Sequence, residues 1–189
     1  WTFITMSSEL RVDKIIPTSG VPTGGAGGII QIQQTVKTDF LTISATDTVT
    51  DVTSVNITPH FSTSKIFVMV SGERSSNNGN NFGMLFLSRV VGGSTTDICI
   101  GDSRGSSIRC TMSSMKMGAD GSSNSHASIT ANPYHIEFLD SPNTTSACTY
   151  KLRATNAHTG NLSFGGTHAT DDDNRTSTPT VITVMEFSA

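Results

Sequence analysis

The sequence has few charged residues, and this limits its partners. Charged residues make up 14% of its 189 residues, against about 25% in an average domain. The formal net charge is -3, and lysine and arginine form no basic stripe. Nucleic acid and anionic membrane surfaces are therefore poor candidate partners.

Long apolar runs are also missing. No segment reaches the roughly 18 apolar residues that a transmembrane helix needs, so we expect no membrane insertion. The N-terminal residues lack the order of a signal peptide, which has a cationic start, an apolar centre and a small-residue cleavage site. We therefore expect assembly in a cytoplasm.

Cysteine is scarce. The three residues Cys99, Cys110 and Cys148 are widely spaced. An odd number without a Cys-x-x-Cys pair argues against a disulfide framework and against a zinc site. We expect small buried side chains, which suits a reducing compartment.

Serine, threonine and glycine are abundant, and this favours strands and tight turns. The chain has 26 Ser, 28 Thr and 17 Gly, with few strong helix formers. About ten short segments of alternating or continuous apolar residues are separated by Gly/Asn/Ser turns. The predicted strands are 29–35, 38–46, 51–58, 65–72, 82–91, 97–101, 106–117, 126–130, 133–140, 148–155, 161–165 and 180–188. This spacing predicts an all-β fold, an antiparallel, jelly-roll-like β-sandwich over residues 29–189.

Residues 1–28 are predicted to form an extended N-terminal arm. Its apolar residues are Leu10, Val12, Ile15 and Ile16, followed by Pro17, and its hinge glycines are Gly24, Gly25, Gly27 and Gly28. The segment is too short and too rich in glycine to be a domain. An apolar arm left in water is a liability, so we interpret it as a segment that docks on a sheet edge or groove of another chain. The alternative is that the arm folds back on its own sandwich.

Motifs for catalysis or metal binding are weak. The segment GDSRG (101–105) invites a serine-hydrolase reading, but that chemistry also needs a histidine, an orienting carboxylate and an oxyanion hole. A β-turn explains it better in a chain this rich in serine. The acidic segment Asp171, Asp172, Asp173 and Asn174 is predicted to be an exposed loop, with Ca²⁺ binding or a contact between subunits as alternatives. We predict no catalytic residue, no resident metal and no cofactor.

Several segments resemble tail-fibre-like virion structural proteins of marine cyanobacterial phages. The arm SELRVDKIIPTSGVPTGGAGGIIQ is similar to their N-termini. The segments SVNITPHFSTSKIFVMVSGE (54–73), YHIEFLDSPNTTSACTYKLRAT (134–155) and STPTVITVMEFSA resemble their recurring strand patterns. The resemblance covers most of residues 7–189, and its motifs are structural.

The resemblance implies a non-enzymatic virion component, assembled in the host cytoplasm and commonly a homotrimer. The arm would dock on other virion proteins of the tail or capsid. Loops 74–81, 101–107, 118–125 and 166–178 would face outward, toward a host surface glycan or protein. The expected function is a tail fibre or receptor-binding appendage for host attachment. The alternatives are a capsid-bound head fibre or decoration protein, a host-glycan hydrolase, and a lectin or adhesin.

Overall fold

The structure is a computed structural model that describes residues 28–78, 81–113, 130–157, 160–168 and 176–188. Within these ranges the chain forms strands and no helix. The strands are β1 (Ile29–Lys37), β2 (Leu41–Ile43), β3 (Thr50–Ile57), β4 (Lys65–Ser76), β5 (Gly83–Val91), β6 (Ser94–Ile98), β7 (Met112–Ser113), β8 (Asn132–Asp140), β9 (Cys148–Asn156), β10 (Leu162–Phe164) and β11 (Thr180–Phe187).

The strands form two antiparallel sheets. Sheet A joins β1, β11, β4 and β8 in that order, and the short strands β10 and β2 continue it where β4 extends past β11. Sheet B joins β3, β9, β5 and β6, with β7 also beside β5. The first and last strands pair, and the order is that of an eight-stranded jelly roll. This confirms the predicted all-β, antiparallel β-sandwich.

The core lies between the sheets and is built from alternate residues of the strands. Successive side chains of a strand point to opposite faces, so every second residue can turn inward. The fully buried apolar residues are Ile66, Val68, Val70, Leu85, Leu87, Cys148, Tyr150, Leu152, Ala154, Leu162, Phe164, Ile182 and Val184. The predicted shared face of Tyr150 and Leu152 in β9 is therefore the inner one.

The β5–β6 hairpin corrects one predicted strand boundary. Gly92 and Gly93 both have positive φ, 56° and 83°, as the two central residues of a type I′ turn require. These two residues complete the turn, so β6 begins at Ser94 and ends at Ile98. The strand predicted at 97–101 was placed too late along the chain.

The predicted loop at 74–81 also begins too early. Strand β4 continues through Ser76, because β10 takes over pairing with residues 74–76 beyond the point where β11 ends. Arg74, Ser75 and Ser76 are consequently buried rather than exposed. Serine-rich composition indicated a loop here, but an available partner strand determined the structure.

Candidate functional site

Strand β4 is apolar on both of its faces, and only one face is covered. Ile66, Val68 and Val70 are fully buried in the sandwich, as expected for a central strand. Phe67 and Met69 point to the outer side of sheet A and are only partly buried. The described part of the chain therefore leaves the outer face of β4 partly open.

An apolar row crosses the outer face of sheet A. The register aligns Ile32 on β1 with Met185 on β11, Met185 with Phe67 on β4, and Phe67 with Leu139 on β8. Ile32 is 52% exposed and Leu139 is 54% exposed. Four apolar side chains on four adjacent strands form a continuous surface. Exposed apolar patches of this kind commonly mark sites that bind another protein or a ligand.

One end of this row opens into a cavity of about 400 Å³, lined by Lys65, Phe67, Leu139 and Phe187. Its walls are apolar side chains and the aliphatic stem of Lys65. The Lys65 Nζ group is held at the rim, where it donates a hydrogen bond to Ser141 Oγ at 2.8 Å. The cavity is of a size that binds apolar side chains or small ligands.

The face becomes more polar away from this cavity. The next row contains Gln34, Thr183, Met69 and Glu137, and Gln34 Nε2 donates to Thr183 Oγ1 at 2.9 Å. Glu137 pairs with the exposed His135 at 2.8 Å. The row beyond it again contains an apolar pair, Val36 and Val181, beside Ser71 and His135, so the apolar row that crosses four strands is the one at the end of sheet A where β1 begins and β11 ends.

The chain enters sheet A at this same end. Ser188 N donates to Gly28 O at 3.2 Å, which continues the β1–β11 pairing past Ile29. Ile29 pairs with Phe187, a residue of the cavity wall, and is itself 53% exposed. Gly28, the first described residue, therefore lies at the same end of sheet A as the apolar row.

The structure places only one residue of the predicted arm and hinge, namely Gly28. The arm residues Leu10, Val12, Ile15, Ile16 and Pro17 lie outside the described residues, as do Gly24, Gly25 and Gly27. The acidic segment Asp171, Asp172, Asp173 and Asn174 also lies outside them. These sites stay predictions.

Asp140 is a buried carboxylate that ties the two sheets together. Arg89 Nη1 on β5 donates to both of its oxygens at 2.7 and 2.6 Å, and Tyr150 OH on β9 donates to Oδ2 at 2.7 Å. Burial alone would lower the pKa of Arg89, but the hydrogen bond and charge of Asp140 raise it. Burial and the same carboxylate raise the pKa of Tyr150. Arg89 is therefore charged and Tyr150 is neutral.

Glu186 is a second buried carboxylate, and its partners come from two parts of the chain, strand β1 and the connection between β3 and β4. Ser64 Oγ donates to it at 2.6 Å, Gln31 Nε2 at 2.6 Å and His60 N at 2.7 Å. His60 Nδ1 also lies 2.9 Å from Oε2. Burial alone would raise the pKa of Glu186, but these hydrogen bonds bring it below its usual value. The cluster locks the β3–β4 connection onto sheet A.

The opposite end of the sandwich interior is polar but less well paired. Arg74 is 5% exposed, and its Nε and Nη1 atoms have no hydrogen-bond partner among the residues that the structure describes. Its Nη2 atom donates a long bond of 3.4 Å to Ser113 O, and burial lowers the pKa of Arg74. The side-chain oxygens of Asn81 and Asn156 are also buried and unpaired. Among the described residues, fewer of the buried polar atoms at this end have hydrogen-bond partners than at the end that contains Asp140.

The described residues do not assemble the hydrolase site that GDSRG could have indicated. Ser103 lies in an exposed turn, in which Ser107 N donates to Arg104 O at 3.0 Å. Ser163 does meet a histidine, with its Oγ 2.7 Å from His168 Nδ1. Ser163, however, is fully buried on β10, where a substrate cannot reach it. Burial also lowers the pKa of His168, so we interpret this pair as structural.

Metal-binding and membrane-spanning features are not found in the described part of the chain. Its histidines, cysteines and carboxylates form no group of three that could hold a metal ion. It also contains no helix of the length and hydrophobicity needed to cross a membrane. Cys148 is buried as predicted, whereas Cys99 and Cys110 are only partly buried, and all three are free thiols.

Comparison with known proteins identifies no family. No family model matches the chain, and no curated protein is significantly similar to it. The residues themselves therefore carry the functional interpretation.

Sequence reasoning missed the two buried carboxylates, although the sequence contained a signal for both. Asp140 shares the parity of Tyr134 and Ile136 in β8, and Glu186 shares that of Ile182 and Val184 in β11. An acidic residue on the apolar side of an alternating strand must be paired if that side is buried. This pattern predicts that the carboxylate is buried, but it does not identify the distant residues that pair with it.

Proposed function

We propose that the chain is a structural component of a bacteriophage virion, a tail fibre or receptor-binding appendage that exposes a β-sandwich for host attachment. Its N-terminal arm anchors it to other virion proteins, and it assembles as a homotrimer without enzymatic activity. The resemblance of the arm and of three strand segments to cyanophage fibre proteins supports this proposal. The jelly-roll fold is compatible with it, because this fold occurs in viral capsid and lectin domains, but a fold alone does not fix a function.

One observation supports the proposal most, namely that Gly28, where the predicted arm would meet β1, and the β4–β5 connection lie at opposite ends of sheet A. The arm joins at Gly28, beside Phe187 and the start of β4. The β4–β5 connection lies at the far end of β4, where Asn77 Oδ1 accepts a hydrogen bond from Asn161 N at 2.7 Å. A module built in this way can be held at one end and present loops at the other.

The test is the location and copy number of the protein on phage particles. An antibody against the sandwich domain, used for immunogold electron microscopy, should label the tail, and quantitative mass spectrometry should find far fewer copies than of the major capsid protein. Labelling over the whole shell at a stoichiometry near that of the capsid subunit would instead support a decoration protein. Absence from purified particles would contradict both readings.

Host attachment needs a separate measurement. Fluorescently labelled trimer should bind host cells in a saturable manner, and excess unlabelled protein should compete for the same sites. Binding to host cells by a protein that is absent from the virion would favour a lectin or adhesin. Turnover of host polysaccharide that is lost in Ser103→Ala would contradict the non-enzymatic proposal.

A further inference from the structure

The cavity on the outer face of sheet A has no occupant among the described residues, and its chemistry fits an apolar peptide. Phe67, Leu139 and Phe187 form its walls, and Leu139 remains 54% exposed. We propose that this cavity receives the apolar arm segment, residues 10–16, of a second copy of this chain. The inference goes beyond the proposed function, because it gives arm residues 10–16 a second copy of this chain as their partner in place of another virion protein, and it does not depend on where the protein sits on a particle.

The position at which the arm begins supports this occupant. The chain passes from the arm into β1 at Gly28, and Phe187 both pairs with Ile29 and lines the cavity. Each copy therefore carries the donor segment and the acceptor cavity at the same end of sheet A. Two copies that meet through these ends bring arm and cavity together.

The length of the connection between arm and sandwich is sufficient. Residues 17–27 separate Ile16 from Gly28, and eleven residues span up to about 36–40 Å when extended. Three hinge glycines, Gly24, Gly25 and Gly27, lie within this stretch and permit the chain to change direction there. The arm can therefore cross from one sandwich to the face of its neighbour.

The composition of the arm matches the cavity. Ile15 and Ile16 are consecutive apolar residues that precede Pro17, and Leu10, Val12 and Ile16 share one parity of an extended segment. Their burial against Phe67 and Leu139 would remove apolar surface from water on both partners at once. The neighbouring row, which contains Gln34, Thr183 and Glu137, would offer less of this gain.

The direction of the backbone favours the arm of a second copy over the chain's own arm. The bond from Ser188 N to Gly28 O extends the β1–β11 ladder to its last residue, so the backbone at Gly28 still runs along the strand axis and off the end of the sheet. The row that contains Phe67 lies in the opposite direction. A contact in which one copy donates an arm and the next accepts it is heterologous, and such contacts close into rings when the rotation permits.

The test uses three full-length variants and measures mass by light scattering. Leu139→Lys places a charged side chain in the wall of the cavity and leaves the arm unchanged. In the double variant Ile15→Asp, Ile16→Asp the arm is spoiled while the cavity is intact. Ser71→Lys is the matched control, because it also adds a lysine to an exposed position on the outer face of sheet A but lies outside the apolar row.

We expect the wild-type protein and Ser71→Lys to be oligomers, and each of the other two variants to fall to the monomer mass of 20.0 kDa. An equimolar mixture of these two monomers should regain a dimer, because one supplies the arm and the other the cavity. Circular dichroism and thermal melting establish that each variant is folded.

Four results would overturn the proposal. A monomeric wild type would mean that the arm does not join copies, and this includes docking on its own chain. An arm variant that stays oligomeric would show that the sandwich bodies contact each other directly. An oligomeric Leu139→Lys would place the contact elsewhere, and two monomers that do not combine in the mixture would exclude arm exchange.

Discussion

The two ends of the sandwich interior differ in how completely their buried polar groups are hydrogen-bonded. At the end where β4 begins, Asp140 and Glu186 flank Ile66 in one cross-strand row, and each accepts at least three hydrogen bonds. At the end where β4 finishes, Arg74 is also buried, but two of its nitrogen atoms have no partner within the described part of the chain. The first end contains paired charges, and the second contains a cation whose desolvation is hardly compensated.

This difference teaches that burial of a charge does not by itself indicate a stabilising interaction. A buried pair that loses one partner leaves an uncompensated charge, which is strongly destabilising. A buried charge that was never paired can be replaced by an apolar side chain of similar shape at little or no cost. Substitutions at the two ends should therefore change stability by different amounts and even in different directions.

The largest effect is expected for Asp140→Ala. The substitution leaves Arg89 charged, partly buried and without the carboxylate that accepts both hydrogen bonds from its Nη1 atom, so we expect a loss of about 3–5 kcal/mol of unfolding free energy. Urea denaturation followed by far-UV circular dichroism measures this change in the free energy of unfolding. The double variant Arg89→Met, Asp140→Leu is the control and should lose much less. A single variant that loses under about 1 kcal/mol would mean that the pair behaves like a surface salt bridge.

Glu186→Gln should have the second largest effect. The substitution keeps the shape of the side chain but weakens the charge-assisted hydrogen bonds from Ser64, Gln31 and His60, so we expect a loss of about 1.5–3 kcal/mol. Chemical denaturation at neutral pH provides the measurement. Gln33→Glu is the matched control, because it exchanges the same two residue types at an exposed position of β1 and leaves the cluster unchanged. Equal stability of wild type and Glu186→Gln would contradict the role of the cluster.

The same residue should make stability depend on pH in the acidic range. The folded protein holds the pKa of Glu186 below its value in the unfolded chain, which is near 4.5. Its contribution is therefore fully present above that value and is lost as the pH falls through the lower, folded-state pKa. Unfolding free energies measured at intervals from about pH 6 down to about pH 3 should fall less steeply for Glu186→Gln than for wild type. Parallel curves would show that other carboxylates account for the acid sensitivity.

Arg74→Met tests whether a substitution at the less completely paired end changes the free energy of unfolding in the opposite direction from the carboxylate substitutions. The substitution removes a desolvated cation and keeps an unbranched side chain in the core, so the free energy of unfolding should stay unchanged or rise by up to about 2 kcal/mol. Thermal and urea melts of the variant and wild type make the comparison. A loss larger than about 2 kcal/mol would show that Arg74 has a strong partner in solution.

The smallest effect on folding is expected for Leu139→Lys. Its side chain already lies on the outer surface, so the change in unfolding free energy should be within about 0.5 kcal/mol at a concentration where the protein is monomeric. Phe67→Ala is the informative contrast, because Phe67 is partly buried in the same row and should cost more. A large loss in Leu139→Lys would mean that the row belongs to the folded core rather than to a docking surface.

The sequence predicts the strands of this fold better than it predicts the polar sites. Alternation in β8 and β9 placed Tyr134, Ile136, Tyr150 and Leu152 on common faces, because a buried face imposes a period of two along the strand. The hairpin turn at Gly92–Gly93 was recognised as a turn, although the strand after it was placed too late.

The remaining features depend on contacts between distant residues. The buried segment Arg74–Ser76 has the composition of a loop, and only its pairing with β10 makes it a strand. The cluster around Glu186 joins residues near positions 31, 60 and 64, and no local pattern contains that information. The apolar row likewise requires the register of four strands, so Phe67 and Leu139 could not be recognised as neighbours from their own segments.

The pairing of the first strand with the last one affects how the protein can fold during synthesis. Strand β11 lies between β1 and β4, so neither of these two strands has its full set of backbone partners until the ribosome has produced residues 180–187. Until then the growing chain exposes an unpaired edge on β4, which is apolar on both faces and prone to aggregation. Sheet A can therefore be completed only after translation of β11, whereas the pairing of β4 with β8 and β10 does not require that strand.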